Sequence, residues 1–286
     1  MLGILPFITT ACDNDDEPEV NEVQLSPEAQ KDIHTRFEGA IIKAVRRLQG
    51  DPTPGTEVDL VDIHGNEVSI FYQHSQNPSL TVTHFASFDN LPEPVKNAFM
   101  KSCYKNIDKQ QIKNIECDDY AVLNKKMYKL EFYANVGKWE NRYTMTLFNE
   151  DGFMLPDYHL GEGLINDSWK FKVINMEEVH FIESHYGKDI RAFNHDRGYS
   201  SYYVMDKDVL KYVRFRDHTW KGTTYLLPES QEVPEDILKE LYQTAPDFEY
   251  TEIYLVETPN GKGYKFCNKI GESHILGDMF TNPDVQ

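Results

Sequence analysis

The chain has 286 residues, with 29 Lys and Arg against 47 Asp and Glu, a formal charge of −18 at neutral pH. With a sequence pI near 4.9 and no basic run, it lacks the face a nucleic-acid binder needs to neutralise phosphates, and an anionic membrane surface would repel it. Hydrophobic residues make up 40% and aromatics 13%, enough for packed cores, but no apolar stretch approaches the about 20 residues that span a bilayer.

Residues 1–24 read as a processing signal and an acidic tether. Met1 to Ala11 are apolar and uncharged, and Cys12 is followed by Asp13, Asn14, Asp15, Asp16 and Glu17. An apolar run, small residues and a cysteine form the pattern of a bacterial lipoprotein signal, cut before the cysteine, which then carries acyl chains. Thr10 and Ala11 fit the small positions, while Thr9 stands where Leu is usual. The basic region that opens such signals is missing, so the signal is expected to begin upstream of Met1. The acidic run after Cys12 resembles a surface-export signal and equally serves as a solvated tether. Cys12 is therefore the expected lipidation site, anchoring the chain in the outer membrane at the cell surface.

Ser26-Pro27-Glu28 starts a helix, with a capping hydroxyl and a proline in the first turn. Ala29, Ile33, Phe37, Ile41, Ala44, Val45 and Leu48 continue a helical stripe that predicts one helix as far as Gly50. Strands follow at Val58–Ile63, Glu67–Tyr72 and Leu80–Phe88, with His64-Gly65-Asn66 as a hairpin turn. Leu91-Pro92-Glu93-Pro94 restarts the pattern with a short helix carrying Val95, Ala98, Phe99 and Cys103. Strands near Ile112–Glu116, Met127–Tyr133 and Tyr143–Phe148 come next, and Asp151-Gly152 turns into Phe153–Leu155. The run from His159 to Gly163 reads as a linker.

Asn175 caps a third helix with Met176, Val179 and Ile182, followed by strands at Tyr199–Met205, Val209–Arg216 and Thr223–Leu227. Val233-Pro234-Glu235 starts a fourth helix, with strands at Glu252–Glu257, Gly263–Phe266 and His274–Leu276. The expected fold class is therefore α+β: tandem helix-plus-antiparallel-sheet units, helices on one sheet face and the other face open. The expected domains are residues 25–160 and 167–286, divided near Gly161–Asn166.

Two units align: Leu91-Pro92-Glu93 with Val233-Pro234-Glu235, Ile115-Glu116 with Val256-Glu257, and Tyr128-Lys129-Leu130 with Tyr264-Lys265-Phe266. These motifs resemble the PepSY-like, beta-lactamase-inhibitor-like (BLIP-like) repeats of secreted bacterial proteins. The resemblance covers residues 91–155 and 233–280 well and the rest loosely. It implies small helix-plus-sheet modules in tandem without catalytic residues, and a concave sheet that grips another protein.

Catalytic patterns are weak throughout. His180, Glu183 and His185 come nearest to a metal site, but the two histidines are five residues apart, roughly 140° around a helix, and cannot chelate one ion from it. His64, His74 and His84 recur every ten residues without a fixed acidic partner. Gly198-Tyr199-Ser200-Ser201-Tyr202 lacks the second glycine of a nucleophile elbow, and Gly161-Glu162-Gly163 lacks the flanks of a phosphate loop. No cofactor, metal or catalytic set is expected. Cys103 and Cys117 are spaced to bridge a helix to the next strand; with Cys267 they are equally readable as buried free thiols.

Side chains alternate across a strand, so Val204, Val213 and Phe215 facing the helices put Tyr199, Tyr203, Tyr212, Arg214 and Arg216 on the other face. The same parity adds Tyr133. Tyrosine and arginine are over-represented among binding hot spots, which makes these six the expected binding face, matched to an acidic patch on the partner. The function expected is a non-enzymatic, protein-binding or inhibitor-like lipoprotein whose partner is another envelope or extracellular protein. The alternative is a glycan- or nutrient-binding surface lipoprotein working with a transporter, in which Trp139, Trp169 and Trp220 would stack on sugar rings.

Detergent-phase partitioning checks the anchor. Wild type is expected in the detergent phase and Cys12→Ala in the aqueous phase; equal partitioning would show that Cys12 carries no lipid.

Overall fold

A computed structural model of the chain describes residues 25–48, 55–73, 78–136, 139–155, 174–196, 199–268 and 273–277. Cys12 and its acidic run, His74, the linker at 159–163 and Trp169 lie outside the described residues.

Helix α1 (Pro27–Arg36) begins where the sequence places it, with the Ala29 N–H donating to Ser26 Oγ at 3.1 Å. It ends twelve residues before Leu48. Gly39, at φ +80°, turns the chain, and Ile41–Leu48 forms strand β1, not the last turns of a helix. The spacing of Ile41, Ala44, Val45 and Leu48 fits a helical stripe by coincidence, but Ile41, Ile42 and Val45 are β-branched and stiff in a helix. Strands β2 (Gly55–Val61), β3 (Glu67–Gln73) and β4 (Pro78–His84) follow, and α2 (Glu93–Lys101) then leads into β5 (Asn114–Tyr120), β6 (Lys125–Val136) and β7 (Trp139–Asn149). These form a seven-stranded sheet in the order β1 to β7, every neighbouring pair antiparallel. Such a meander needs only short connections, because each strand returns beside the last. Gly152, at φ +82°, closes the turn after β7; a Cβ there would meet the Pro94 carbonyl oxygen at 2.5 Å, so a side chain would push on the first turn of α2.

The plan repeats. Helix α3 (Met176–Tyr186), capped by Asn175 accepting from the Glu177 N–H at 2.7 Å, precedes β8 (Ile190–Asp196), β9 (Tyr199–Asp206), β10 (Val209–Arg216) and β11 (Thr219–Leu226). Helix α4 (Glu235–Thr244) precedes β12 (Glu252–Thr258), β13 (Gly261–Cys267) and β14 (Ser273–Gly277). They make a second seven-stranded antiparallel sheet, in the order β14 to β8. Strand β8 is short and carries a bulge between Ile190 and Ala192, which breaks its alternation; the sequence pattern did not mark it.

Register explains where the cores lie. Val58, Ile70, Thr81 and Asp119 face one another across β2 to β5, and the residues beside them put Val58, Leu60, Val68, Ile70 and Tyr72 with Ala29 and Ile33 of α1. Phe99 of α2 packs among Phe88, Phe132 and Phe148, with ring centroids 5.3, 5.8 and 6.4 Å away. One residue out of phase, Phe71, Leu80 and Tyr120 line the opposite face. These join Met127, Met145 and Leu147 in a core that also contains Val179, Ile182, Phe193, Tyr202 and Val213 of the second half. The contact is direct: the Tyr120 and Phe193 rings lie 5.3 Å apart, edge to face, and Asn149 Nδ2 donates to the Arg191 carbonyl at 3.2 Å. The face of the first sheet expected to be open is thus packed against the second sheet in this region, because its alternate residues are apolar as well.

Phe99 is fully buried and Ile63 is 68% exposed. Phe99→Ala is expected to cost about 3–5 kcal/mol of unfolding free energy and Ile63→Ala less than about 0.5 kcal/mol, measured by chemical denaturation.

Candidate functional site

Strands β9 and β10 pair without a bulge, so their parity is easily read. Tyr199 faces Arg216, Ser201 faces Arg214, and Tyr203 faces Tyr212. The intervening Tyr202, Val204, Val213 and Phe215 are buried. The exposed Arg214 guanidinium sits 4.5 Å from the Tyr199 ring centroid, and that of Arg216 lies 5.3 Å from the same ring. Arg216 Nη1 also donates to the Tyr199 hydroxyl at 3.2 Å. One ring therefore holds two cations, each contact contributing about 0.5–1 kcal/mol at an exposed site. Arg216 approaches Asp217 only at 4.0 Å, and Asp217 is 90% exposed. Arg214 has no carboxylate within ion-pair distance among the described residues. Tyr212 is half-buried, its hydroxyl 3.0 Å from Ser201 Oγ.

The other two predicted residues do not join this patch. Tyr203 shares the face but is only 5% exposed and belongs to the core common to both sheets. Its burial takes it out of the accessible surface. Tyr133 lies on β6 of the first sheet, where its ring packs 5.3 Å from that of Tyr143. Of the six expected residues, Tyr199, Tyr212, Arg214 and Arg216 share the accessible part of the β9–β10 face, Tyr203 is buried, and Tyr133 is half-buried on the other sheet.

Two buried charge networks were not legible in the sequence. Lys129 Nζ lies 3.0 Å from Glu116 Oε1 and 3.3 Å from Glu131 Oε1, all three nearly inaccessible. Tyr143 donates to Glu131 Oε2 at 2.7 Å, and His84 Nδ1 approaches Glu116 Oε2 at 3.8 Å. In the second half, Glu178 of α3 is 1% exposed and accepts from the Tyr202 hydroxyl at 2.8 Å, with His218 Nδ1 3.0 Å from its other oxygen. Burial, with the Glu178 charge beside it, holds the Tyr202 phenol far above its ordinary pKa.

The remaining histidines stay apart. His185 Nδ1 bonds to the Phe181 carbonyl at 2.8 Å and His180 is exposed, and the described residues contain no cluster of metal-ligating groups. His64 sits in the β2–β3 turn, whereas His84 faces Glu116 on the other side of the sheet. Trp220 packs against Phe181 and donates to Thr223 Oγ1 at 3.0 Å, so it is a packing residue.

A cleft of about 620 Å³ opens between the end of α1, the β2–β3 turn and the segment before α2. Its walls include Arg36, Asn66, Thr83, Phe85, Cys117 and Tyr128. No single stretch of sequence contains them, which is why no motif signalled it.

No family model and no curated protein matches the chain. Solved structures similar to it include BLIP-like and DUF2874 proteins of Bacteroides. A BLIP-like protein from Bacteroides fragilis is 19% identical, covering 50% of this chain and 92% of its own, with a TM-score of 0.38. DUF2874 family proteins from Bacteroides ovatus and Bacteroides uniformis are 15% and 14% identical. They cover 51% and 48% of this chain and 96% and 91% of their own, with TM-scores of 0.37 and 0.36. The BLIP-like description reached from the Pro-Glu helix starts and Tyr-Lys strands is thus also the description of a structural neighbour.

Cys103, Cys117 and Cys267 form no disulfide with one another. Burial, reinforced by Asp118, pushes the Cys117 thiol up to about 12, while Cys103 is exposed. The thiolate is the nucleophile. Maleimide at neutral pH is therefore expected to modify Cys103 in the native protein and Cys117 only after unfolding, read by peptide mass spectrometry.

Proposed function

We propose that the chain is a non-enzymatic, inhibitor-like protein-binding module, tethered through Cys12 to the outer membrane and displayed at the cell surface. In this reading residues 25–160 and 167–286 are two tandem PepSY-like domains, each with its helices on one sheet face. The partner is another envelope or extracellular protein that presents an acidic patch to Tyr199, Tyr212, Arg214 and Arg216.

One observation carries the reading: two guanidiniums share the Tyr199 ring on the surface of a chain with charge −18. Arg36 is paired with Asp32, Arg191 with Asp189 and Lys211 with Asp206. Arg214 is instead held by an aromatic ring, which fixes its position and leaves its N–H groups available for a planar acceptor. A rigid, positively charged, aromatic-backed patch suits a carboxylate-bearing protein surface and would steer its approach.

The test is quantitative recovery from envelope extract with wild type, Arg214→Glu/Arg216→Glu and a charge swap on another strand, Lys43→Glu/Arg47→Glu. The reading requires a protein whose recovery falls at least about tenfold in the first variant, as expected for anchors contributing about 1–3 kcal/mol, and also falls with added salt. Recovery should be unchanged in the second variant. If every recovered protein binds both variants as it binds wild type, the patch is not a docking site.

A further inference from the structure

Strand β1 forms one edge of the first sheet. An edge strand keeps the N–H and C=O groups of alternate residues turned away from its neighbour, ready to pair with another strand. Among the described residues, no hydrogen bond outside the β1–β2 ladder uses the backbone of β1. The other three edges are blunted. Residues 153–155 take part of the outer side of β7, with the Leu155 N–H donating to the Leu147 carbonyl and the Asn149 N–H to the Phe153 carbonyl. Strand β8 carries its bulge, and its Arg191 carbonyl accepts from Asn149; β14 is only five residues long. Strand β1 also has a bulge, between Ile42 and Ala44, but residues 44–48 then pair with β2 in unbroken register.

The side chains of β1 select what can pair with it. Lys43, Arg46 and Arg47 make three of its eight residues basic, with no acid among them, in a chain of charge −18. Arg46 is held by Glu57 and Asp59 of β2. Lys43 and Arg47 are exposed and have no carboxylate within ion-pair distance among the described residues. Val45 packs in the core under α1 and Leu48 against the core on the opposite face, so alternation puts Arg47 on the first face and Arg46 on the second. Cations therefore flank the edge on both sides of the sheet. A second copy pairing through the same strand would bring like charges together, which is destabilising, whereas an acidic strand would bring carboxylates beside them. At the start of the strand Ile41 and Ile42, 63% and 37% exposed, offer apolar surface to the same occupant.

We infer that the edge of β1 docks an extended, acidic segment of a partner protein by strand addition. Main-chain hydrogen bonds supply the affinity, and Lys43 and Arg47 supply the preference for carboxylates. This is independent of the Tyr199 patch, which lies on the second sheet and offers side chains where β1 offers its backbone.

Isothermal titration calorimetry of the full chain with a blocked heptapeptide alternating glutamate and valine tests it. Saturable binding that weakens with added salt is expected. The same peptide N-methylated at every residue keeps its charge but cannot donate to the edge, and should bind at least about tenfold more weakly, as should a lysine–valine heptapeptide. Lys43→Glu/Arg47→Glu should weaken binding at least about tenfold. Lys43→Gln/Arg47→Gln, which adds no carboxylate beside Glu57 and Asp59, should weaken it several-fold, both variants keeping the wild-type thermal midpoint. Arg214→Glu/Arg216→Glu should leave peptide affinity unchanged, the reverse of the pattern expected for a partner of the patch. The absence of saturable heat, equal affinity for the N-methylated peptide, affinity unchanged in both Lys43/Arg47 variants, or a loss confined to Arg214→Glu/Arg216→Glu would each overturn the assignment. So would either rival occupant. A dimer that dissociates in Lys43→Glu/Arg47→Glu, read by sedimentation, would give the edge to a second copy. Peptide binding at least about tenfold tighter once Asp13, Asp15, Asp16 and Glu17 are replaced by their amides would give it to the chain's own acidic run.

Discussion

The first sheet has two apolar faces, and neither can be left to water. One face packs under α1 and α2 through Val58, Ile70, Leu130 and Phe132; the other carries Phe71, Leu80, Tyr120, Met127 and Leu147. Ten-residue helices cannot cover both sides of seven strands. The second sheet supplies the missing cover, and the edge-to-face contact of Tyr120 with Phe193 marks where it does so. An antiparallel sheet with one solvated face shows a clean apolar–polar alternation; this one does not, and the core shared by both halves follows from that. The accessible patch is displaced as a result. Tyr203 is drawn into the shared core, while Tyr199, Arg214 and Arg216, toward the opposite end of the β9–β10 ladder, keep their exposure to solvent or part of it.

That same packing buries charge. Glu116, Lys129 and Glu131 alternate with apolar residues on β5 and β6 and become inaccessible on the face turned away from α2. One ammonium between two carboxylates, with Tyr143 donating to the second, satisfies most of the acceptors. Such a network adds little net stability over an apolar replacement, but removing one member strands the others at a cost of about 3–5 kcal/mol. Glu178 solves the same problem with neutral and titratable donors, the Tyr202 hydroxyl and the His218 ring. In the first half the charged side chains are held by groups from neighbouring strands, and in the second Glu178 of α3 is held by Tyr202 of β9 and by His218 in the turn after β10. These networks tie register to packing, because a one-residue slip would separate the partners.

The sequence announced its helix starts well and missed its first strand. Ser26-Pro27-Glu28, Asn175 and the two Pro-Glu starts act locally, through caps and a preset φ, so no tertiary information was needed to place them. Strand β1 failed because apolar residues spaced three and four apart fit a helix, while the decisive event, the chain turning at Gly39, was a single residue. The Tyr–Arg face was legible because β9 and β10 run eight residues in unbroken register. Whether a residue on that face meets water depended on the partner sheet, which periodicity does not encode. The cleft was invisible for the same reason: Arg36, Asn66, Thr83, Cys117 and Tyr128 come together only when α1 and β2 to β6 are stacked.

The chemical contrast between the two candidate sites follows from how each treats its charges. In the cleft, Arg36 is bound by Asp32 and Lys126 lies beside Asp119, so its cations stand against carboxylates. On the second sheet Arg214 rests on a tyrosine ring, which stabilises a cation without neutralising it. Arg214 therefore keeps its positive charge with no ion-pair partner among the described residues, on a chain of charge −18. At physiological ionic strength such a surface charge is felt over about 8 Å, so it acts on groups that come close to it.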